Sequence, residues 1–468
     1  MTSRGRARNP AAPKPFARAA CRTDQQSLQE RVVATHNLGQ AMNDFPMTSS
    51  SLAGQSLGLY KLPQELAFSI AGGCKAEVWD RSGNRYLDFL LGSGPMVLGH
   101  AHPRVVEAIA AQAARGTHFY QVNDRAIELA DRIVSLVPCA DAVRFCSDGS
   151  EATFYALRMA RAFTGRSDVL KFGGAFHGHH DYAQQELSSQ GRSGAPVTEA
   201  ASSGIPPVVS ESVHIAPFND LAFACAVARA NSEKIAAILV EPIQRCLLPQ
   251  PGFLQGLRAL ADEIGALLIF DEVVTGFRVA LGGCQELYEV RPDLCALGKI
   301  LGGGTPLAAV AGRCDILDLA DPDRSGREPY VYMSGTLNGN PLGCAAALAT
   351  LQILEEMNGP AELKQIGETL AGGILDIART LDVELQVLGA PSFPQIVFSS
   401  APITKAAELK AANHRAARAF GLELIRRRVL VNPDSKLYIG LSHDQSCQAR
   451  FLDAARAAML AVRDQGLL

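Results

Sequence analysis

The chain has 468 residues, of which 47% are hydrophobic and 19% charged, and its formal net charge is −3. That composition excludes a disordered chain and supplies no basic footprint for nucleic acid. No stretch of about 18 uncharged apolar residues offers a membrane-spanning helix, and the 11 cysteines, none in a CxxC pair, read as reduced thiols of a cytoplasmic protein.

The first 23 residues carry basic side chains and prolines but no acid. Residues 1–45 read as a disordered basic tail, with a targeting peptide as the other reading. From Ala71 the pattern becomes strand-like. Two apolar runs flank Asp80-Arg81-Ser82-Gly83-Asn84, which predicts a hairpin. A Gly/Pro/His stretch at 92–103 follows, and then helical spacing at 104–115 and 124–137. Short apolar runs at 143–147, 168–172, 236–241, 266–271 and 306–312 alternate with helical stretches, the best being 253–265. This alternation predicts an α/β fold with a mainly parallel, doubly covered sheet. Several runs end in a polar residue (Ser147, Glu241, Asp271), and ligands of such sheets sit at the carboxyl ends of strands. The small, polar stretch 185–212 reads as a loop. Beyond 342, helices at 342–357, 361–381 and 446–463 surround strand-like segments near 394–398 and 428–431, which predicts a smaller α+β domain. The resulting division is an N-terminal segment at 46–100 packing with the small domain, a large domain at 101–345 and the small domain at 346–468.

Four elements carry candidate chemistry. In "CSDGSEATFYALRMARAFTGR" (146–166), Gly149 and Ser150 open a helix; they suit a phosphate, or simply cap the helix. Asp271 closes an apolar strand, where a carboxylate calls for a cation or for a turn to cap. Lys299 follows an apolar run and precedes three glycines. A desolvated amine there can form a Schiff base with a carbonyl, the other reading being a surface lysine beside a flexible loop. Thr336 lies in a Gly-flanked turn before Pro341, offering a hydroxyl to a phosphate or only shaping the turn. Jointly the four fit a cofactor with a phosphate, a basic ring nitrogen and an aldehyde, which describes pyridoxal 5′-phosphate (PLP).

The motifs "GSGPMVLGHAHP", "GSEAT", "FHGHHD", "VEPIQ", "IFDEVVTGFR", "LGKILGGGTPLAA" and "GTLNGNPLG" occur in order over about 75–445. With them the sequence resembles the class III aminotransferases of PLP fold type I, and within these the glutamate-1-semialdehyde aminomutase group. The resemblance implies that fold, a homodimer with shared sites, and small amines or amino acids with keto acids or aldehydes as substrates. It implies a Lys299 Schiff base and proton transfer by the same amine, with Asp271 on the pyridine nitrogen. Gly149 and Ser150 would take the phosphate, with Thr336 reaching in from the other subunit. Val273 and Phe176 would cover the two ring faces, Phe176 standing where the family usually has Tyr. Glu241 would lie near the cofactor. The cluster His177, His179, His180 and Asp181 flanks the stacking residue rather than forming a metal site.

The chain also departs from the aminomutases. Their carboxylate-binding arginine falls in a segment matched by "AGQSLGLYKLP" (53–63), which has no arginine; Lys61 offers only a point charge. Their late acidic residue falls in "PDSKLYIG" (433–440), where it is absent or displaced. Asp148 replaces a neutral residue and has to point away from a phosphate. The resulting expectation is an aminotransferase with an external amino acceptor, the intramolecular aminomutase being the alternative and a racemase the third. A DNA-binding regulator lacks a helix-turn-helix segment, and a nucleotide-binding protein lacks GxxxxGK[ST] and a strand-linked GxGxxG.

Overall fold

Apolar runs bounded by turn residues become buried strands, and their ends define the architecture. The computed structural model describes residues 51–58, 61–188 and 197–468; the expected tail at 1–45 lies outside them. The chain divides into two units, Met1–Leu62 and Pro63–Leu468. In the first, the described residues include a 3-10 turn at Ala53–Gln55. All strands and α-helices below belong to the second.

Strands β1 (Ile70–Cys74), β2 (Glu77–Asp80) and β3 (Arg85–Asp88) pair antiparallel in sequence. The expected β2–β3 turn forms because Asp80 Oδ1 accepts from the N–H groups of Ser82 and Asn84, both at 2.9 Å. Next come β4 (Ala142–Cys146), β5 (Asp168–Phe172), β6 (Gln185–Ser188), β7 (Val197–Ala200), β8 (Val213–Ala216), β9 (Ile235–Val240), β10 (Leu267–Asp271), β11 (Leu294–Leu297) and β12 (Ala308–Gly312). Seven of these form one sheet in the order β4-β12-β11-β10-β9-β5-β8. The pairs β11–β10, β10–β9, β9–β5 and β5–β8 are parallel, while β12 runs antiparallel to both its neighbours. Every residue of β5, β9, β10, β11 and β12 is buried, as a sheet covered on both faces requires.

The helix Gly149–Thr164 covers one face. Asp148 caps it, Gly165 ends it at φ 68°, and Ala152, Ala156 and Ala160 keep its buried side thin. That side packs with Leu239, Ile269, Ala296 and Val310 of the strands. In the C-terminal region, helices Pro341–Glu356, Gly359–Leu381, His414–Arg426 and Gln445–Asp464 accompany β13 (Gln386–Leu388), β14 (Gln395–Val397) and β15 (Val429–Leu430). β15 pairs parallel with β3 and so joins the first strands to the end of the chain. No helix among the described residues is long and apolar enough to cross a membrane.

Two differences from expectation have local causes. The stretch 185–212 is not simply a loop: β6 and β7 pair antiparallel and Pro207–Glu211 is a short helix. Its strands are polar and short, so their pairing leaves no hydrophobic period to read. The helix His414–Arg426 is absent from the expectation because Gly421 interrupts a helical pattern. That glycine is needed where it stands, since a Cβ there would come 2.6 Å from Pro433 Cα.

Candidate active site

Five strand ends converge on one edge of the sheet. β10 ends in Asp271, β9 leads to Glu241, β4 to Gly149, β11 to Gly298 and Lys299, and β5 through a Gly-Gly turn to Phe176 and His177. This is the carboxyl edge of the parallel strands, where ligands of open α/β sheets bind.

Asp271 is buried and held at both oxygens. Oδ1 accepts from the Val273 N–H at 3.1 Å, and Oδ2 lies 2.8 Å from His177 Nδ1. Thr153 Oγ1 donates to the His177 carbonyl at 2.6 Å, so the Gly149–Thr164 helix fixes the backbone of the residue whose imidazole meets the carboxylate. The other histidines have separate jobs. His179 Nδ1 meets Ser150 Oγ at 2.8 Å, and His180 Nε2 meets Thr153 Oγ1 at 3.2 Å. Burial drives the His180 pKa down to about 3, which keeps that ring neutral.

The turn at Gly149 and Ser150 has unspent donors. Asp148 Oδ1 accepts from the Glu151 N–H and the Asp148 carbonyl from that of Ala152. The N–H groups of Gly149 and Ser150 have no hydrogen bond among the described residues. Asp148 therefore turns its carboxylate toward its own helix, and it, not Ser150, is the cap. A Cβ on Gly149 would stand 2.8 Å from Val273 Cγ1, and one on Gly298 3.3 Å from the same atom. Val273 thus lies between the helix start and the strand leading to Lys299, with no room for larger residues on either side.

Lys299 adopts φ 47° and is partly buried. Burial holds its ammonium below the usual lysine range. The charges of Lys436 and Arg278 push the same way, against Tyr438 and Asp271. Phe176 is 49% exposed, and its N–H donates to Glu241 Oε2 at 3.3 Å. Hydrogen bonds and these close contacts thus join Gly149, Ser150, Phe176, Glu241, Asp271, Val273 and Lys299 into one neighbourhood. Thr336 is the exception: it is exposed in the turn at 336–339, and no hydrogen bond links it to the others among the described residues.

Sequence reasoning missed a second group. Arg278 is fully buried; its Nε donates to the Val274 carbonyl at 3.0 Å and Nη2 to the Gly94 carbonyl, while Nη1 has no partner. Its guanidinium lies 5.3 Å from the Tyr438 ring centre. Lys436 lies 5.8 Å from the same ring and 5.2 Å from that of Phe393. Arg245 stands 5.9 Å from the ring of Phe176. Burial lowers the Lys436 pKa to about 8 and that of Arg278 to about 10. The available signal was a cation inside an apolar run, as in "TGFR" and "SKLYIG".

These residues fit PLP. Two free N–H groups and a hydroxyl suit its phosphate, an anchored carboxylate suits a ring cation, and a desolvated amine suits an aldehyde.

Comparison with known proteins agrees. The chain is 40% identical over 401 residues to a glutamate-1-semialdehyde 2,1-aminomutase of Roseiflexus castenholzii, covering 84% of this chain and 90% of that protein. The fold superposes on an omega-transaminase from Sphaerobacter thermophilus with a TM-score of 0.82 and 31% identity, covering 88% and 95% of the two chains. It superposes on a transaminase with PLP bound with a TM-score of 0.79 and 28% identity, covering 93% and 99%. The aminotransferase class III model matches residues 63–423, and with that match the chain belongs to the class III aminotransferases, enzymes that work with pyridoxal 5′-phosphate.

Proposed function

We propose that this enzyme moves an amino group on a small carboxylate-bearing substrate, with the glutamate-1-semialdehyde 2,1-aminomutase reaction as its leading form. The observation carrying this reading is the similarity to aminomutases along nearly their whole length. It reverses the order expected from sequence, where an external acceptor came first. The aminotransferase remains the second reading. It is favoured by the missing arginine at 53–63 and by "PDSKLYIG" (433–440), where the late acidic residue of the aminomutase group is absent or displaced.

When bound, PLP supplies an aldehyde and an electron-withdrawing ring that stabilises negative charge on a neighbouring carbon. The protein's part is to bind, orient and move protons. Gly149 and Ser150 hold the phosphate through their N–H groups and hydroxyl. Asp271, kept in place by His177 and Val273, sets a negative charge against the ring nitrogen. Val273 and Phe176 flank the ring, and Glu241 fixes the backbone of Phe176. Lys299 would hold the aldehyde through Nζ, and its lowered pKa leaves more of the neutral amine that can accept a proton. Thr336 contributes from the partner subunit of a homodimer. The same reading assigns 101–345 to the cofactor domain, 346–468 to a smaller C-terminal domain, and the protein to the cytoplasm.

The test is turnover of glutamate-1-semialdehyde without any keto acid. Steady formation of 5-aminolevulinate supports the aminomutase. A single half-turnover that continues only when a keto acid is added supports the aminotransferase.

A further inference from the structure

Three cations of the site have no acidic partner. Among the described residues, no carboxylate forms an ion pair with Lys436, Arg245 or Arg278. Lys436 is only 5% exposed, yet its ammonium makes no hydrogen bond among the described residues; its near neighbours are the faces of Phe393 and Tyr438. Arg278 leaves one buried N–H donor unpaired. Buried charges are ordinarily paired, and buried donors ordinarily spent.

The cofactor does not remove this surplus. Its phosphate would be held at the Gly149 turn and its ring cation by Asp271, and Lys299 would hold its aldehyde. What remains is Lys436, Arg245 and Arg278, with Glu241 the carboxylate whose charge acts on Lys436. Glu241 Oε2 also accepts from the Phe176 N–H, and its single charge does not balance three cations. Arg278 lies 5.3 Å and Lys436 5.8 Å from the ring centre of Tyr438, and both charges act on Lys299. Arg245 borders the half-exposed Phe176, at the open side of the site. An anion entering past Phe176 meets this cluster beside the reacting amine.

We propose that Lys436 is the anchor for the substrate carboxylate, backed by Arg278 through Tyr438, in place of an arginine from the N-terminal segment. This rests on the amino-transfer reading above and narrows it: the substrates are amino and oxo acids rather than simple amines. A lysine is a point charge with three donors, so it holds a carboxylate without the fixed two-pronged geometry of arginine. The enzyme then accepts carboxylates at more than one distance from the reacting carbon.

The experiment uses the PLP-loaded enzyme and two probes without an amine, pentanoate and pentanamide, titrated by calorimetry. Wild type binds pentanoate more tightly than pentanamide. Lys436→Met reduces that preference by about 30-fold, and Lys436→Arg retains most of it. If the Met variant does not keep the cofactor, as judged by its visible absorbance, Lys436→Gln carries the same comparison. An unchanged preference in the neutral variant overturns the proposal, as does equal weakening of both probes, which marks a merely structural lysine. The readout is a ratio of binding constants, so it stands apart from whether the enzyme proves to be an aminomutase or an aminotransferase.

Discussion

At the Asp271 end of the site, polar groups of the chain meet one another: the carboxylate takes His177 and Val273, His177 takes Thr153, and His179 takes Ser150. At the Lys436 end, cations face aromatic rings and carbonyls, and among the described residues no carboxylate forms an ion pair with them. The first end fixes its carboxylate by bonds within the chain and leaves the Gly149 and Ser150 N–H groups for a ligand, as befits a resident cofactor that must be held in one orientation. The second carries unbalanced charge, as befits a ligand that comes and goes. The difference separates what is built to hold from what is built to recognise.

Substitutions at the first end test how firmly it is set. Lys299→Ala is expected to abolish the visible absorbance of the lysine-bound cofactor and to lower turnover by about 1,000-fold or more, with the thermal midpoint essentially unchanged. A yellow, active variant breaks the assignment. Asp271→Asn keeps the shape but loses the charge, and is expected to cost about 100-fold in turnover with weaker cofactor retention. Near-normal rates in that variant would put the negative charge elsewhere. Gly149→Ala is the mildest: its Cβ presses on Val273, and the cofactor dissociation constant is expected to rise about 10-fold in fluorescence titration. An unchanged constant would mean that Val273 yields freely and that the cradle is not tightly shaped.

The same two ends differ in how far they are legible in the sequence. β5 coincides with the expected run 168–172, whose apolar residues Val169, Leu170 and Phe172 stand between Ser167-Asp168 and Gly173-Gly174. Asp271 and Lys299 stand out as polar residues closing apolar strands, and Gly149 as the start of a capped helix. These are local signals. The partner of Asp271 is not local: His177 lies 94 positions earlier, and its neighbouring histidines suggest a cluster rather than three separate attachments. Lys436 and Arg278 are harder still. Nothing beside them in the chain announces that the two meet over Tyr438, since the contact comes from folding the C-terminal region against the loop after β10. Short strands such as β8 and β13 also escape, being too brief to show a period.

The place of β12 bears on the order in which the site can come into being during synthesis. Gly149 follows β4 and Lys299 follows β11, but the strand that lies between these two in the sheet is β12, which comes later in the chain than either. A nascent chain that has just emerged past Lys299 therefore carries every cofactor-facing residue named here except Thr336, and still lacks the strand that sets the phosphate turn beside the lysine. The cradle closes only when Ala308–Gly312 slots between its two neighbours. Cofactor capture thus follows translation of this late insertion, and a fragment ending near residue 300 keeps Gly149, Asp271 and Lys299 without the site.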